Sequence, residues 1–298
     1  MAARSGTLAR ALTGWAFALP FAALFLVFTA GPVVASLAMS LTDIRSADLL
    51  DPLGVNVVAF DNYVRLFADP KFVRAAVNTA VFVVVGVPLT MAVALLVALG
   101  LNSGLVRFRT LFRVGYYLPV VTSIVAISVV WRFLLQPESG LFNELLAMVG
   151  IDGPSWLDDR AFALPTLIAM ATWRNLGFAM VIFLAGLQAI PKDLYEAATI
   201  DGARTWARLR YLTVPMLRPT MLFVAVITTI GYVQFFEEPF VMTQGGPLDS
   251  TLSLAYHTYN QFGFGNYGYA SAMGYVLFVV VVLLSIAWFR LLRNTHEQ

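Results

Sequence analysis

Cysteine is absent from this chain of 298 residues. Its absence excludes disulfides, thiolate metal sites and cysteine catalysis, and leaves the redox compartment open. Lysine is almost absent: Lys71 and Lys192 are the only two, and each follows a proline. A phosphate-wrapping loop needs Gly-x-x-x-x-Gly-Lys-Ser/Thr, so this chain holds no nucleotide site of that kind. Histidine is limited to His257 and His296, which leaves no His-Glu-x-x-His zinc site. No Gly-x-Ser-x-Gly elbow is present either. His257 stands in a polar stretch beside Tyr256, Tyr259 and Asn260 and reads as a surface or packing residue rather than a base. Charge is scarce as well: Asp, Glu, Lys and Arg make up 12% of the chain, about half the share of a soluble domain.

Apolar residues fill the gap, at 59% of the chain with a mean hydropathy of +0.79. The chain therefore reads as an all-α integral membrane protein. Six hydrophobic spans are predicted at residues 15–40, 75–101, 115–135, 161–187, 219–242 and 269–292. The first could be misread as a secretion signal, but its apolar core exceeds the usual ~7–15 residues and further spans follow. Pro88 predicts a kink in the second span, and residues 55–60 could form a short strand. Each span takes about 20 residues, so six spans with their loops account for a single transmembrane domain over 1–298. No internal repeat appears, and nothing remains for a soluble nucleotide-binding or solute-binding domain. The net charge of +2 gives no sign of nucleic-acid binding.

Basic residues select the side of each loop. Arg4, Arg10, Arg107, Arg109, Arg113, Lys192, Arg204, Arg208, Arg210, Arg218, Arg290 and Arg293 are twelve of the nineteen Lys and Arg. All lie at the termini or in the second and fourth loops. Most acids, including Asp48, Asp51, Asp61, Asp69, Glu138 and Asp152, lie in the alternate loops. Both termini and the 188–218 loop are thus expected on the cytoplasmic side, with the chain multi-pass in the membrane.

Polar groups inside spans are costly and usually meet a cavity or a partner. Two clusters qualify. The fourth span carries Trp173, Arg174, Asn175 and Phe178; the fifth carries Gly231, Tyr232, Gln234, Phe235, Glu237 and Glu238. At helical spacing Gly231, Gln234, Phe235 and Glu238 would form one stripe. Rings beside hydrogen-bonding groups suit a sugar, whose C–H faces stack while its hydroxyls need donors and acceptors. Interhelical bonding accounts for such residues about as well. For Arg174 a pairing with Glu237 or Glu238 is favoured, since a buried charge needs a partner.

The 188–218 loop has its own design. Pro191 suits a first helical turn, Asp193 the positive end of the dipole, and Gly202 a left-handed stop. A second short helix is predicted from Arg204 to about Leu212, ending before Pro215, with Arg204 and Arg208 on one face. Ala197 and Ala198 leave room for another protein. The order Glu196-Ala197-Ala198, Asp201-Gly202-Ala203, then Thr213-Val214-Pro215-Met216-Leu217 resembles the "EAA" loop of binding-protein-dependent ABC importer permeases. Phe60-Asp61-Asn62-Tyr63, the stretch from Thr243 to Thr251 with Gly245-Gly246-Pro247, and Gly268-Tyr269-Ala270-Ser271-Ala272 resemble signatures of that family's carbohydrate branch, which includes maltose, glycerol-phosphate and oligosaccharide importers.

The resemblance covers nearly the whole chain. It implies a type I importer permease fold with a cytoplasmic coupling helix, and the ATPase-coupling residues Glu196, Ala197, Ala198, Asp201, Gly202, Ala203 and Arg204. It implies as partners a second homologous permease, two copies of an ABC ATPase that carry ATP and Mg, an extracytoplasmic solute-binding protein, membrane lipid and a carbohydrate substrate. This chain itself would then bind no cofactor or metal and catalyse no reaction. Compared with the large maltose-type subunit it lacks extra N-terminal helices and a large outer domain. A monomeric secondary transporter is the alternative, weakened by the docking motif and by the missing inverted repeat. An intramembrane enzyme using Glu237, Glu238 and Arg174 ranks third, because no nucleophile–base pair appears.

Overall fold

Apolar runs bounded by Asp, Gly and Pro become helices throughout the computed structural model, which describes residues 15–50, 54–103 and 106–292. In chain order they are α1 (Trp15–Ser40), α2 (Asp61–Ala68), α3 (Pro70–Asn102), α4 (Arg109–Val121), α5 (Ile124–Leu134) and α6 (Leu141–Ala147). There follow α7 (Arg160–Gln188), α8 (Lys192–Ile200), α9 (Thr205–Met216), α10 (Arg218–Val233), α11 (Leu254–Gly263) and α12 (Tyr267–Leu292). Arg4, Arg10, Asp51, Arg293 and His296, all used in the sequence reading, lie outside the described residues.

Among the described residues no strand forms, and the stretch 55–60 contributes only an isolated bridge between Val57 and Thr42. The expected strand fails because Val57 and Phe60 find no second row of partners and stay exposed. Four helices, α1, α3, α7 and α12, are long and apolar enough to cross a membrane; two bent pairs would make six. The third predicted span, 115–135, is one such pair: α4 and α5 meet at 101°. Thr122 takes an extended conformation between them, its hydroxyl bonded to the Leu118 carbonyl, and Pro119 brings no N–H to the last turn. The second pair, α9 and α10, is bent by 67°. The predicted kink site Pro88 leaves α3 unbroken.

Contacts divide the chain into two units. The first holds residues up to Ala68 with Thr258–Tyr275. Here Asn62 donates from Nδ2 to the Ser40 and Thr42 carbonyls at 2.9 and 2.8 Å, satisfying the open end of α1. The Tyr63 hydroxyl lies 2.8 Å from Ser40 Oγ. These bonds give the Phe60–Tyr63 signature a local structural role. In the same unit the Gly268 N–H donates to the Ile44 carbonyl at 3.0 Å.

The second unit is built on α3 against α7, with α10 laid across them. Asp69 and Asp159 start the two long helices, each carboxylate accepting from the backbone N–H two residues on. Phe82, Val87, Leu167, Met180, Phe183 and Val224 fill the seam. Gly86 lets Tyr232 of α10 approach: a Cβ there would sit 2.4 Å from the ring. The Tyr232 hydroxyl is fixed 2.7 Å from Thr90 Oγ1, so the ring cannot swing away. Gly86→Val is therefore expected to lower stability by about 1–3 kcal/mol, the usual cost of overpacking. Thermal unfolding in detergent measures it, and an unchanged midpoint would show that Tyr232 is free to move.

The Thr243–Thr251 signature also closes on itself, with the two threonine hydroxyls 2.7 Å apart and Thr251 donating to the Gly246 carbonyl. Asn78 of α3 pins it through the Asp249 and Leu252 carbonyls. His257 is buried, 3.8 Å from an Asp69 oxygen. Burial lowers its pKa, so the imidazole is neutral at pH 7.

Candidate functional site: a docking loop and a cavity

Between α7 and α10 the chain folds into a helical hairpin. Pro191 caps α8 from just outside, with Asp193 in its first turn. The helix stops at Gly202, whose φ of +75° is the left-handed conformation. The Gly202 N–H donates to the Thr199 carbonyl at 3.1 Å and the Ala203 N–H to the Ala198 carbonyl at 2.9 Å. Together these bonds make a Schellman stop, which glycine enters without a Cβ penalty.

Arg204 caps α9, which starts at Thr205. The helix does not end before Pro215. A π turn over Leu209–Thr213 absorbs one extra residue, and helix continues through Pro215 to Met216. The wider turn makes room for a ring that has no N–H to give. Two side-chain bonds tie α8 to α9: Arg208 Nη1 donates to Thr199 Oγ1 at 3.1 Å, and the Tyr195 hydroxyl meets Thr213 Oγ1 at 3.0 Å. Leu217 and Ile190 are buried and root the hairpin in the core.

Glu196, Ala197, Asp201, Gly202 and Arg204 are exposed on this hairpin, while Ala198 and Ala203 are half-buried. Ala197 rather than Ala198 is thus the small residue open to a neighbour. Sequence reasoning passed over Ile200 and Trp206, which are 86% and 68% exposed at the turn. Their signal was available: large apolar side chains in an otherwise charged loop outside the spans.

The second feature is a cavity of about 240 Å³. Phe82 of α3, Arg174, Asn175 and Phe178 of α7, and Gly231 and Tyr232 of α10 line it, with Phe235, Glu237 and Glu238 beyond the end of α10. One wall is aromatic: Phe82 and Phe235 stack at 3.8 Å with planes 4° apart, and Tyr232 lies 5.0 Å from Phe82. Glu238 and Arg174 line the same cavity. Glu238 is 5% exposed and its Oε2 has no hydrogen-bond partner. Arg174 Nε is likewise buried and unpartnered. Asn175 donates to the Ala171 carbonyl at 2.8 Å.

The cavity unites most of the two polar clusters but departs from the expected stripe. Helix α10 ends at Val233, and residues 234–236 are not helical. Gln234 is thereby turned out to an exposed position and does not line the cavity. Trp173 is also outside, its ring 5.7 Å from Trp131. The expected ion pair of Arg174 with Glu237 or Glu238 is not formed among the described residues. Glu237 and Glu238 follow the non-helical 234–236 stretch, and neither carboxyl comes within ion-pair distance of Arg174. Such a chamber, walled on one side by the buried Phe82–Phe235 stack, can offer acceptors and a guanidinium to hydroxyls.

The described residues thus hold four helices of membrane length, an exposed hairpin and a polar chamber. Residues 66–295 match the family model described as binding-protein-dependent transport system inner membrane component, and the chain belongs to that family. It is similar to the lactose transport system permease protein LacF of Rhizobium radiobacter, with 39% identity over 93% of each chain. It is also similar to the arabinooligosaccharides transport system permease protein AraP of Bacillus subtilis, at 33% identity over 91% of this chain and 85% of that one. In fold it matches a chain from the crystal structure of a bacterial alginate ABC transporter in complex with an alginate pentasaccharide-bound periplasmic protein. The TM-score is 0.81, with 24% identity and 98% of both chains covered.

Proposed function

We propose that this chain is one of two homologous permease subunits of an ABC importer for a sugar or oligosaccharide. An extracytoplasmic binding protein delivers the substrate. ATP and Mg belong to two copies of a partner ATPase, one of which docks on the α8–α9 hairpin of this chain. The observation that carries the reading is the cavity of about 240 Å³, whose lining combines stacked rings with a buried carboxyl group and a guanidinium, each with an atom lacking a partner. Buried polar atoms are normally paired, and a sugar's hydroxyls would pair both. The cavity is somewhat below the ~300–1,000 Å³ of ordinary ligand pockets, which suits one ring of a chain passing through. The relatives' names, lactose and arabino-oligosaccharide permeases, support the same class.

Gly231 offers the test. It lines the cavity, and a Cβ added there meets nothing within 4 Å. Gly231→Trp starts its side chain in open space and is expected to place the indole in the chamber. Sugar uptake is expected to fall at least ~10-fold, a loss of about 1.4 kcal/mol or more, with the ATPase still recovered in a pull-down. Uptake at the wild-type level would remove the cavity from the substrate path.

Orientation follows from the basic residues. Because the chain has no cysteine, a single introduced thiol reports its side cleanly. Asp152→Cys should react with an impermeant maleimide in intact cells, and Gln298→Cys should react only after lysis. The reverse pattern would invert the topology and detach the hairpin from a cytoplasmic ATPase.

A further inference from the structure

Arg113 lies one turn inside α4, and its Nε is buried with no hydrogen-bond partner. No ion pair reaches it among the described residues, and the sequence has no Asp or Glu between Asp69 and Glu138. Arg107 and Arg109 lie just before it. This end of the helix therefore carries three cations and no carboxylate of its own stretch. A guanidinium N–H shut away from water without an acceptor is unfavourable, so the position asks for an anion from outside the chain.

Arg113 also forms part of an open groove of about 390 Å³ whose other walls are Val114, Tyr117, Leu118, Val121 and Val181. Arg113, Tyr117 and Val121 are four residues apart and share one face of α4; Val114 and Leu118 form the next row. From Arg113 to Val121 the trough runs about 12 Å along the helix axis. Its position has a cause. Gly177 of α7 abuts the backbone at Tyr116, where a Cβ would stand 2.1 Å from the carbonyl oxygen. The helices touch there, and Val181, one turn further along α7, walls the groove beside the contact.

We propose that this groove binds one anionic phospholipid, its phosphate on Arg113 and an acyl chain along the trough to Val121. A free anion would leave the apolar trough without a role, and a zwitterionic phospholipid would bring its own cation beside Arg113, Arg109 and Arg107, which weakens its pairing relative to a net anionic headgroup. The surroundings are already lipid-like: Leu111 and Phe112, on the same helix, are 70% and 47% exposed. Basic pockets between membrane helices suit anionic headgroups.

The full chain, purified in detergent, is titrated with phosphatidylglycerol or with phosphatidylcholine, and bound lipid is counted by native mass spectrometry. One retained phosphatidylglycerol is expected, favoured about fivefold over phosphatidylcholine, as one arginine near a headgroup would give. R113Q should abolish that preference and R113K should keep it. L118W, which fills the trough, should release the lipid. Excess inorganic phosphate should leave the lipid in place, because it cannot use the trough. Equal retention of the two lipids by the wild type, an undiminished preference in R113Q, or displacement by inorganic phosphate would each overturn the proposal.

Discussion

Cells carrying Gly202→Pro combined with Glu196→Lys are expected to lose sugar uptake while keeping the membrane-embedded chain. Proline locks φ near −65°, whereas Gly202 sits at +75°. The substitution also deletes the N–H that bonds the Thr199 carbonyl. The Schellman stop cannot form, at a local cost of about 3 kcal/mol. The turn that presents Ile200 and Trp206 is then displaced. Glu196 is exposed and has no partner role in the core, so the lysine changes only the charge shown to a neighbour. Leu217, Ile190 and the α3–α7 seam are untouched, so chain abundance in the membrane should stay within about twofold, under 0.5 kcal/mol. Quantitative blotting against uptake in the same cells makes the comparison. Abundance falling in step with uptake would mean that the loop serves folding rather than energy transfer.

The second large effect lies in the cavity. Phe235→Ala is expected to cut uptake by about 100-fold, some 2.7 kcal/mol. It removes the ring stacked on Phe82 and opens space in the aromatic wall. Glu238→Gln keeps the shape and replaces one carboxyl oxygen by an amide NH2, so a smaller loss of about 10-fold, near 1.4 kcal/mol, is expected if both oxygens accept from hydroxyls. Uptake across a range of sugar concentrations, together with recovery of the assembled complex, separates transport from assembly. If Phe235→Ala transports normally, the stack is interhelical packing and nothing more. If both variants fall apart in detergent, the polar groups hold the helices together and do not meet substrate.

The long helices were legible because their signal is compositional: α3, α7 and α12 lie within a few residues of the predicted spans. The Gly202 stop was legible for a different reason, since glycine after a short amphipathic run is chemically the residue for a left-handed turn. The breaks were not. Thr122 and Ser123 sit in an apolar run whose one breaker, Pro119, marks a weak point but not the 101° bend. The end of α10 at Val233 falls among Tyr232, Gln234 and Phe235, none of them a helix breaker by type. Helical spacing put Gln234 into the polar stripe, and only the loss of register turns it out. Pro215 misled in the opposite sense, because a π turn compensated for it. Arg174 and Glu238 could be recognised as costly buried groups, yet their failure to pair depends on three-dimensional position. Ile200 and Trp206 were legible in principle and were overlooked through attention to charge and small size in the loop.

The central claim is that transport is driven through the α8–α9 hairpin by a partner's ATP hydrolysis. The most direct measurement is ATPase activity of the reconstituted complex with and without sugar-loaded binding protein. Wild-type complex should be stimulated, and Gly231→Trp should leave the hairpin intact and the ATPase bound. The Gly202→Pro, Glu196→Lys chain should show no stimulation at all. Stimulation of that double variant to the wild-type level would contradict the account.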